Sequence, residues 1–178
     1  MNGLINNIQL IISLIQIQFN IFMKSLTTYI TEKMVYNKSN ASKYNYQPKY
    51  AFELTELMEK LIKERGNNGD FNDIDTSKLT NMDYIFKDKF PLFNGDISGW
   101  DVSNVTRMRC MFEECHRFEG KGLNNWDISN CENFNSTFKN CGSLETDNIE
   151  EWGKKIKPTP YTKHMFAHNN FEPSWYKD

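Results

Sequence analysis

The chain has 178 residues, 39% hydrophobic and 25% charged, an ordinary globular composition sufficient for one folded unit. Its formal net charge is −2, with 21 Lys and Arg scattered among 23 Asp and Glu. This argues against a general nucleic-acid or anionic-membrane binder, which gathers its basic residues into a patch.

Residues 4 to 22 are rich in Ile, Leu and Phe but are interrupted by Asn6, Asn7, Gln9, Gln16, Gln18 and Asn20, and no basic residue precedes them. The basic start, unbroken apolar stretch and small-residue cleavage site of a signal peptide are all missing. So many amides would be costly in hydrocarbon, and no stable membrane insertion is expected. Ile15, Ile17, Phe19 and Ile21 alternate with Gln16, Gln18 and Asn20 at the period of a strand, although an unstructured tail fits equally well. Met23-Lys24-Ser25-Leu26 resembles a start of translation, so residues 1 to 22 are expected to be a tail or upstream extension outside the fold.

Residues 23 to 69 are expected to form a helical N-terminal cap and linker. A weak helix over 24 to 36 leads into a polar linker from Asn37 to Gln47. The spacing then predicts an amphipathic helix over 51 to 65, with Phe52, Leu54, Leu57, Met58, Leu61 and Ile62 on one side and Gly66 placed to stop it.

From residue 70 the sequence repeats every 26 residues. Trp100, Trp126 and Trp152 keep this interval, as do Asp75, Asp101 and Asp127, Ser77, Ser103 and Ser129, and Phe86, Phe112 and Phe138. Phe166 follows after 28, which implies a two-residue insertion near Pro158 and Pro160. Phe71, Ile97, Leu123 and Ile149 share the phase, as do Leu92, Phe118 and Leu144, and Cys115 and Cys141. Ile97-x-x-Trp100-x-Val102 and Leu123-x-x-Trp126-x-Ile128 fit the L-x-x-L-x-L frame of leucine-rich repeats, with Trp in the middle position. Trp100 and Val102 are then expected inside and Asp101 outside. Val105, Met108 and Phe112 recur at three- and four-residue spacing, which suggests a helical turn.

The expected fold class is therefore an α/β repeat: a short leucine-rich-repeat-like solenoid over residues 70 to 157, each coil one short strand plus a helical turn. Neighbouring coils must bury the aromatic face that one coil cannot bury alone. Residues 158 to 178, with Met165, Phe166, Phe171, Trp175 and Tyr176, read as a C-terminal cap.

Asp75, Asp101 and Asp127 would stand in a row at the strand spacing of about 4.8 Å, either as a cation or basic-partner site or as turn-capping residues repeated for the fold. Cys110, Cys115, Cys131 and Cys141 include no C-x-x-C pair and read as small buried hydrophobes. A disulfide between Cys115 and Cys141 stays open for an oxidising compartment. His164 and His168 would share a helix face but lack the Glu of a zinc protease, and read as surface histidines. Sequons at Asn37, Asn40, Asn104 and Asn135 arise easily in a chain this rich in Asn and Ser. No phosphate loop, nucleophile elbow or convincing triad appears, so no catalytic residue, cofactor or metal is assigned.

The strings DISGWDVSNVTRMRCMF and LNNWDISNCENFNSTF resemble the BspA-like family of leucine-rich-repeat surface proteins, a domain of unknown function named from mycoplasma lipoproteins. The match is clearest at Ile97, Ser98, Trp100, Asp101, Val102, Ser103, Asn104, Val105, Met108, Met111, Phe112 and Cys115, and weakest over 149 to 170. Residues 23 to 69 look like the lead segment of short proteins of this type from gut bacteria and their phages. The resemblance implies a secreted or surface-attached binder of host or partner proteins. The missing export features favour a cytoplasmic or phage-associated location.

The resulting expectation is a non-enzymatic protein-binding module whose surface carries Asp75, Ser98, Asp101, Ser103, Asn124, Asp127 and Ser129. The alternative is a structural or assembly protein of a phage particle or envelope. A protein partner is expected, no nucleic acid, and self-association fits either reading.

Overall fold

The structure is a computed structural model that describes residues 12, 14–28, 43–157 and 160–177. They fall into two units, Met1–Ser42 and Lys43–Asp178.

In the first unit residue 12 and residues 14–28 are helical and make up α1. Its last turn is reinforced by the Thr27 and Thr28 hydroxyls, which donate to the carbonyls of Met23 and Lys24 four residues back. The strand-like alternation of residues 14 to 22 is thus overridden by the longer spacing of Ile15, Phe19, Phe22 and Leu26, which is helical. The expected helix over 24 to 36 is present to residue 28, and its remainder, like Asn37, Asn40 and most of the linker, lies outside the described residues. Among the described residues no helix is long and apolar enough to cross a membrane.

The second unit begins at an edge segment, where Tyr46 pairs in parallel with Ile74, followed by α2, Ala51–Arg65. Leu54, Met58 and Leu61, on one helix face, are fully buried, whereas Phe52 points outward and stacks on Tyr50 at 5.8 Å. Gly66 ends the helix at φ 78°, its N–H donating to Ile62 O at 2.8 Å. Arg65, in the last turn, ties three pieces together. Its guanidinium forks onto both Asp73 carboxylate oxygens at 2.7 and 3.0 Å, donates to Asp70 O and lies 5.8 Å from the Tyr46 and Phe71 ring centres.

Beyond α2 the backbone returns every 26 residues in stacked rungs. Met108, Cys110, Phe112 and Glu114 donate their N–H groups to the carbonyls of Asn133, Asn135, Thr137 and Lys139, and Met82, Tyr84 and Phe86 do the same one rung earlier. Phe134, Ser136, Phe138 and Asn140 continue the pattern onto Tyr161, Lys163, Met165 and Ala167. The offset there is two residues longer, as the expected insertion requires.

The expected strand-plus-helix solenoid is overturned. Among the described residues there is no strand, only isolated parallel bridges such as Asn81 to Arg107, Arg107 to Asn133 and Asn133 to Tyr161. The expected helical turn around Val105 to Phe112 is likewise absent. The backbone explains both. Trp100 N bonds Ile97 O, Val105 N bonds Val102 O and Met111 N bonds Met108 O, so the chain turns on itself every few residues instead of extending. Left-handed residues at matching rung positions, Tyr84, Cys110, Ser136 and His164, then Asp88, Glu114, Asn140 and His168, interrupt any helix. Successive turns return side chains to one side about every three residues, which imitates helical spacing in the sequence.

The side-chain expectations fare differently. Phe71, Ile97, Leu123 and Ile149 are fully buried, and Phe86, Phe112, Phe138 and Phe166 stack with ring centres 5.2, 5.5 and 5.6 Å apart. Trp100, Trp126 and Trp152 form a second column at 6.4 Å intervals. Leu92 departs from its expected place. It is exposed, and Phe93 enters the core instead, stacking on Phe118 at 5.8 Å. The one-residue shift follows the turn in which Phe93 N reaches back to Phe90 O across Pro91. At the far end α3, Trp152–Lys155, places Gly153 against the Trp175 ring, where an added Cβ would come within 2.4 Å.

Each column tryptophan also bonds the preceding rung: Trp100 Nε1 donates to Phe71 O, Trp126 Nε1 to Ile97 O and Trp152 Nε1 to Leu123 O, at 3.0, 3.2 and 2.8 Å. Trp126→Ala is expected to cost about 3–5 kcal/mol, and Trp126→Phe, which keeps a ring but loses the indole bond while the Ile97 carbonyl retains its bond from Trp100 N, about 0.5–1.5 kcal/mol. Urea denaturation measures both. Wild-type stability in Trp126→Phe would show that the indole bond contributes nothing.

Candidate binding surface

The seven residues expected to form a face separate into two groups. Asp75, Asp101 and Asp127 each close a turn two residues on: Asp75 accepts from Ser77 N and Oγ at 3.1 and 2.6 Å, Asp101 from Ser103 N and Oγ at 3.0 and 2.6 Å, and Asp127 from Ser129 N at 3.1 Å. Bonds from the Ser129 hydroxyl and N–H hold the Asp127 carboxyl below the usual aspartate range. This row is an aspartate turn repeated with the fold. Alongside it Asn104 and Asn130 donate to the carbonyls of Ser77 and Ser103 on the rung before, so the repeated Asn ties rungs together.

Ser98 and Asn124, one period apart, make the second group. Asn124 is half-buried and committed within the stack, donating to Asp147 O and accepting from Glu151 N. Ser98 instead lines an open groove of about 510 Å³ together with Asn68, Asn94, Asp96, Lys121 and Asn125, residues of three successive rungs. The groove floor is fixed by Gly122, whose φ of 79° and whose place 2.3 Å, measured to an added Cβ, from Ser98 Cβ admit no side chain. Asp96 is held ionised at its edge, the Ser98 N–H bonding its carboxylate at 2.9 Å and lowering its pKa. Lys121 faces solvent and pairs with Glu119 at 3.0 Å. The lining is amide, hydroxyl, one carboxylate and one ammonium, suited to hydrogen-bonded recognition.

The most perturbed carboxylate lies elsewhere. Glu113 sits between Lys87 and Lys139, which occupy the same position one rung before and one rung after it. Lys87 Nζ is 2.8 Å from one oxygen and Lys139 Nζ 2.9 Å from the other, and the Glu113 side chain is 7% exposed. Burial alone would raise its pKa, but bonds from Lys87, Cys110 and Lys139 outweigh burial and hold it at about 2. Burial pushes the Cys110 thiol up to about 11 and Cys131 to about 12, and Cys115 and Cys141 well above the ordinary range. All four cysteines are free and buried, and Cys141 Sγ donates to Phe112 O at 2.9 Å. His164 and His168 are exposed at left-handed turn positions, not on a helix. Among the described residues no group of three or more His, Cys, Asp and Glu is placed to hold a metal ion.

Residues 49–175 match the family described as "Mycoplasma protein of unknown function, DUF285". The chain belongs to the DUF285 family. Neither a curated protein nor a solved structure matches it. The match spans α2, all the rungs and the end as far as Trp175, so the helix and the rungs are one family unit.

Sequence reading missed the groove in this DUF285 chain, apart from Ser98: Asn68 and Asn94 do keep the interval of 26, but a surface amide repeated once carries no packing signal, and Lys121 has no counterpart one rung earlier. It also missed the Lys87–Glu113–Lys139 ladder, although the interval of 26 was visible. The folded pKa of Glu113 lies below its ordinary value of 4.5, so its contribution is present above about pH 5 and is lost as the pH falls towards 2. Glu113→Gln, which removes the charge between two lysines, is expected to lower stability at pH 7 by roughly 1–3 kcal/mol and to flatten the stability-against-pH curve over that window. Denaturation at a series of pH values checks this. An unchanged acid limb would assign the acid sensitivity to other groups.

Proposed function

We propose that the chain is a non-enzymatic protein-binding module, related to BspA-like surface proteins and of the short type carried by gut bacteria or their phages. The observation that carries this reading is the groove of Asn68, Asn94, Asp96, Ser98, Lys121 and Asn125. It crosses three rungs that the backbone bonds hold in register, so its donors and acceptors form an extended polar track. Small-molecule sites are mostly apolar and enclosed. A shallow polar track of this length suits an extended polypeptide, read by amide and hydroxyl bonds and by opposite charges at Asp96 and Lys121. The aspartate row, already engaged in its own turns, borders this surface as scaffolding. A cytoplasmic or phage-associated location accompanies the proposal.

A structural or assembly role is the second reading, favoured by the large apolar side chains exposed on α1. The binding reading is tested by using the intact chain as bait in extract of its own host, beside Asn125→Arg and Lys121→Glu. Both positions are exposed and Lys121→Glu gives up only a surface ion pair with Glu119, so melting temperatures are expected to stay within about a few degrees of wild type. A saturable polypeptide partner whose capture falls at least about tenfold in each variant is the expected result, equivalent to about 1.4 kcal/mol. Undiminished capture by both variants, or no saturable polypeptide, would overturn the groove as the binding surface.

A further inference from the structure

Every described residue of α1 is exposed; Leu14, Ile17 and Ile21 lie on one side, and the other apolar side chains follow a definite order. Ile12, Ile15, Phe19, Phe22 and Leu26 are separated by alternating steps of three and four, which place them along one stripe of the helix, with Met23 beside them. These six are between 39% and 63% exposed. In the sequence the same alternation runs upstream through Ile5 and Ile8, which lie outside the described residues. We infer that α1 pairs with the same helix of a second copy of this chain through this stripe, which is independent of the groove reading.

Three arguments lead to a second copy. The spacing is the 3.5-residue repeat that keeps one seam facing a like helix, which a helix lying on an unrelated surface does not need. The area is sufficient: large aliphatic and aromatic side chains exposed to this degree would bury on the order of 1,000 Å² between two helices, the size at which specific interfaces begin. The charge pattern fits as well. Lys24 is the single charged residue among 14–28, and helical geometry puts it on the side opposite the stripe, so two copies meet without repulsion. Helices that lie on anionic membranes instead carry Lys and Arg along their polar face, where α1 has Gln16, Asn20 and Thr27. A helix of this length is also marginal alone in water, so pairing would stabilise it.

The test uses the full chain. Sedimentation velocity over a roughly hundredfold concentration range is run on wild type, on Phe19→Lys/Phe22→Lys in the stripe, and on Ile17→Lys/Ile21→Lys, which removes equally large apolar groups from the other side. Tryptophan fluorescence verifies that the rungs stay folded. The expected result is a concentration-dependent dimer or small oligomer for wild type and the second variant, and a monomer for the first. A monomeric wild type at all concentrations overturns the inference. So does association that survives the stripe variant, which would place the contact elsewhere, or association lost equally in both variants, which would reflect general apolarity. A wild-type monomer that co-sediments with phosphatidylcholine–phosphatidylglycerol vesicles would assign α1 to a membrane surface instead.

Discussion

The bond from each column indole to a carbonyl of the preceding rung is the constraint on which the rest of the repeat unit depends. Trp100, Trp126 and Trp152 are each 3% exposed or less, and in each the one polar atom of a large apolar ring reaches the backbone 29 residues earlier. A buried indole N–H without an acceptor would be costly, so burial of the ring and the position of the neighbouring rung cannot be set independently. The same bond that satisfies the indole fixes the 26-residue offset. The phenylalanine column, the Lys87–Glu113–Lys139 ladder and the asparagine bonds at Asn104 and Asn130 then fall into place at that offset.

With the offset fixed by side chains, the backbone has no need of a sheet. Alternate N–H groups bond across rungs while the others close turns within a rung, and the left-handed residues at two positions per rung make that alternation sterically workable. These residues are Tyr, Asp, Cys, Glu, Ser, Asn and His instead of the glycine that adopts such angles freely, and rung-to-rung bonding compensates for the strain. Polar surface is displaced to the rims, where the aspartate turns occupy one stretch and the groove around Ser98 another. At the first rung Arg65 and α2 close the exposed end, and Trp175 and Tyr176 pack on Phe166 at the last.

Much of this was legible in the residues. The interval of 26 located both aromatic columns and the insertion before Phe166, whereas the inward side of Trp100 and the outward side of Asp101 were expected from the alternation of a strand that is not there. What the interval does not encode is backbone geometry: a turn every three residues and a helix share one spacing, so Val105, Met108 and Phe112 read as helical when they are not. Leu92 was misplaced because Pro91 shifts the register by one where the repeat's phase alone cannot register it. Residues 14 to 22 fit a strand or an unstructured tail equally because their short-range alternation masks a longer helical stripe. Of the expected binding residues only Ser98 lines the groove, because repeated polar residues such as Asp101 and Asp127 recur for the turn, whereas Asn68 and Asn94, although 26 apart, and Lys121 become neighbours on one surface only once three rungs are stacked.

Hydrogen exchange at the indole N–H groups tests the central bond directly, since each gives its own proton resonance. Trp175, whose Nε1 is buried but has no acceptor among the described residues, supplies the internal comparison for burial without a bond. If the indoles hold the rungs in register, the Trp100, Trp126 and Trp152 protons exchange only through cooperative opening of the stack, together with the amides of Met108 and Phe134, and far more slowly than that of Trp175. Fast exchange of the three column indoles while those amides remain protected would show that the rungs are held without them, and would contradict the account.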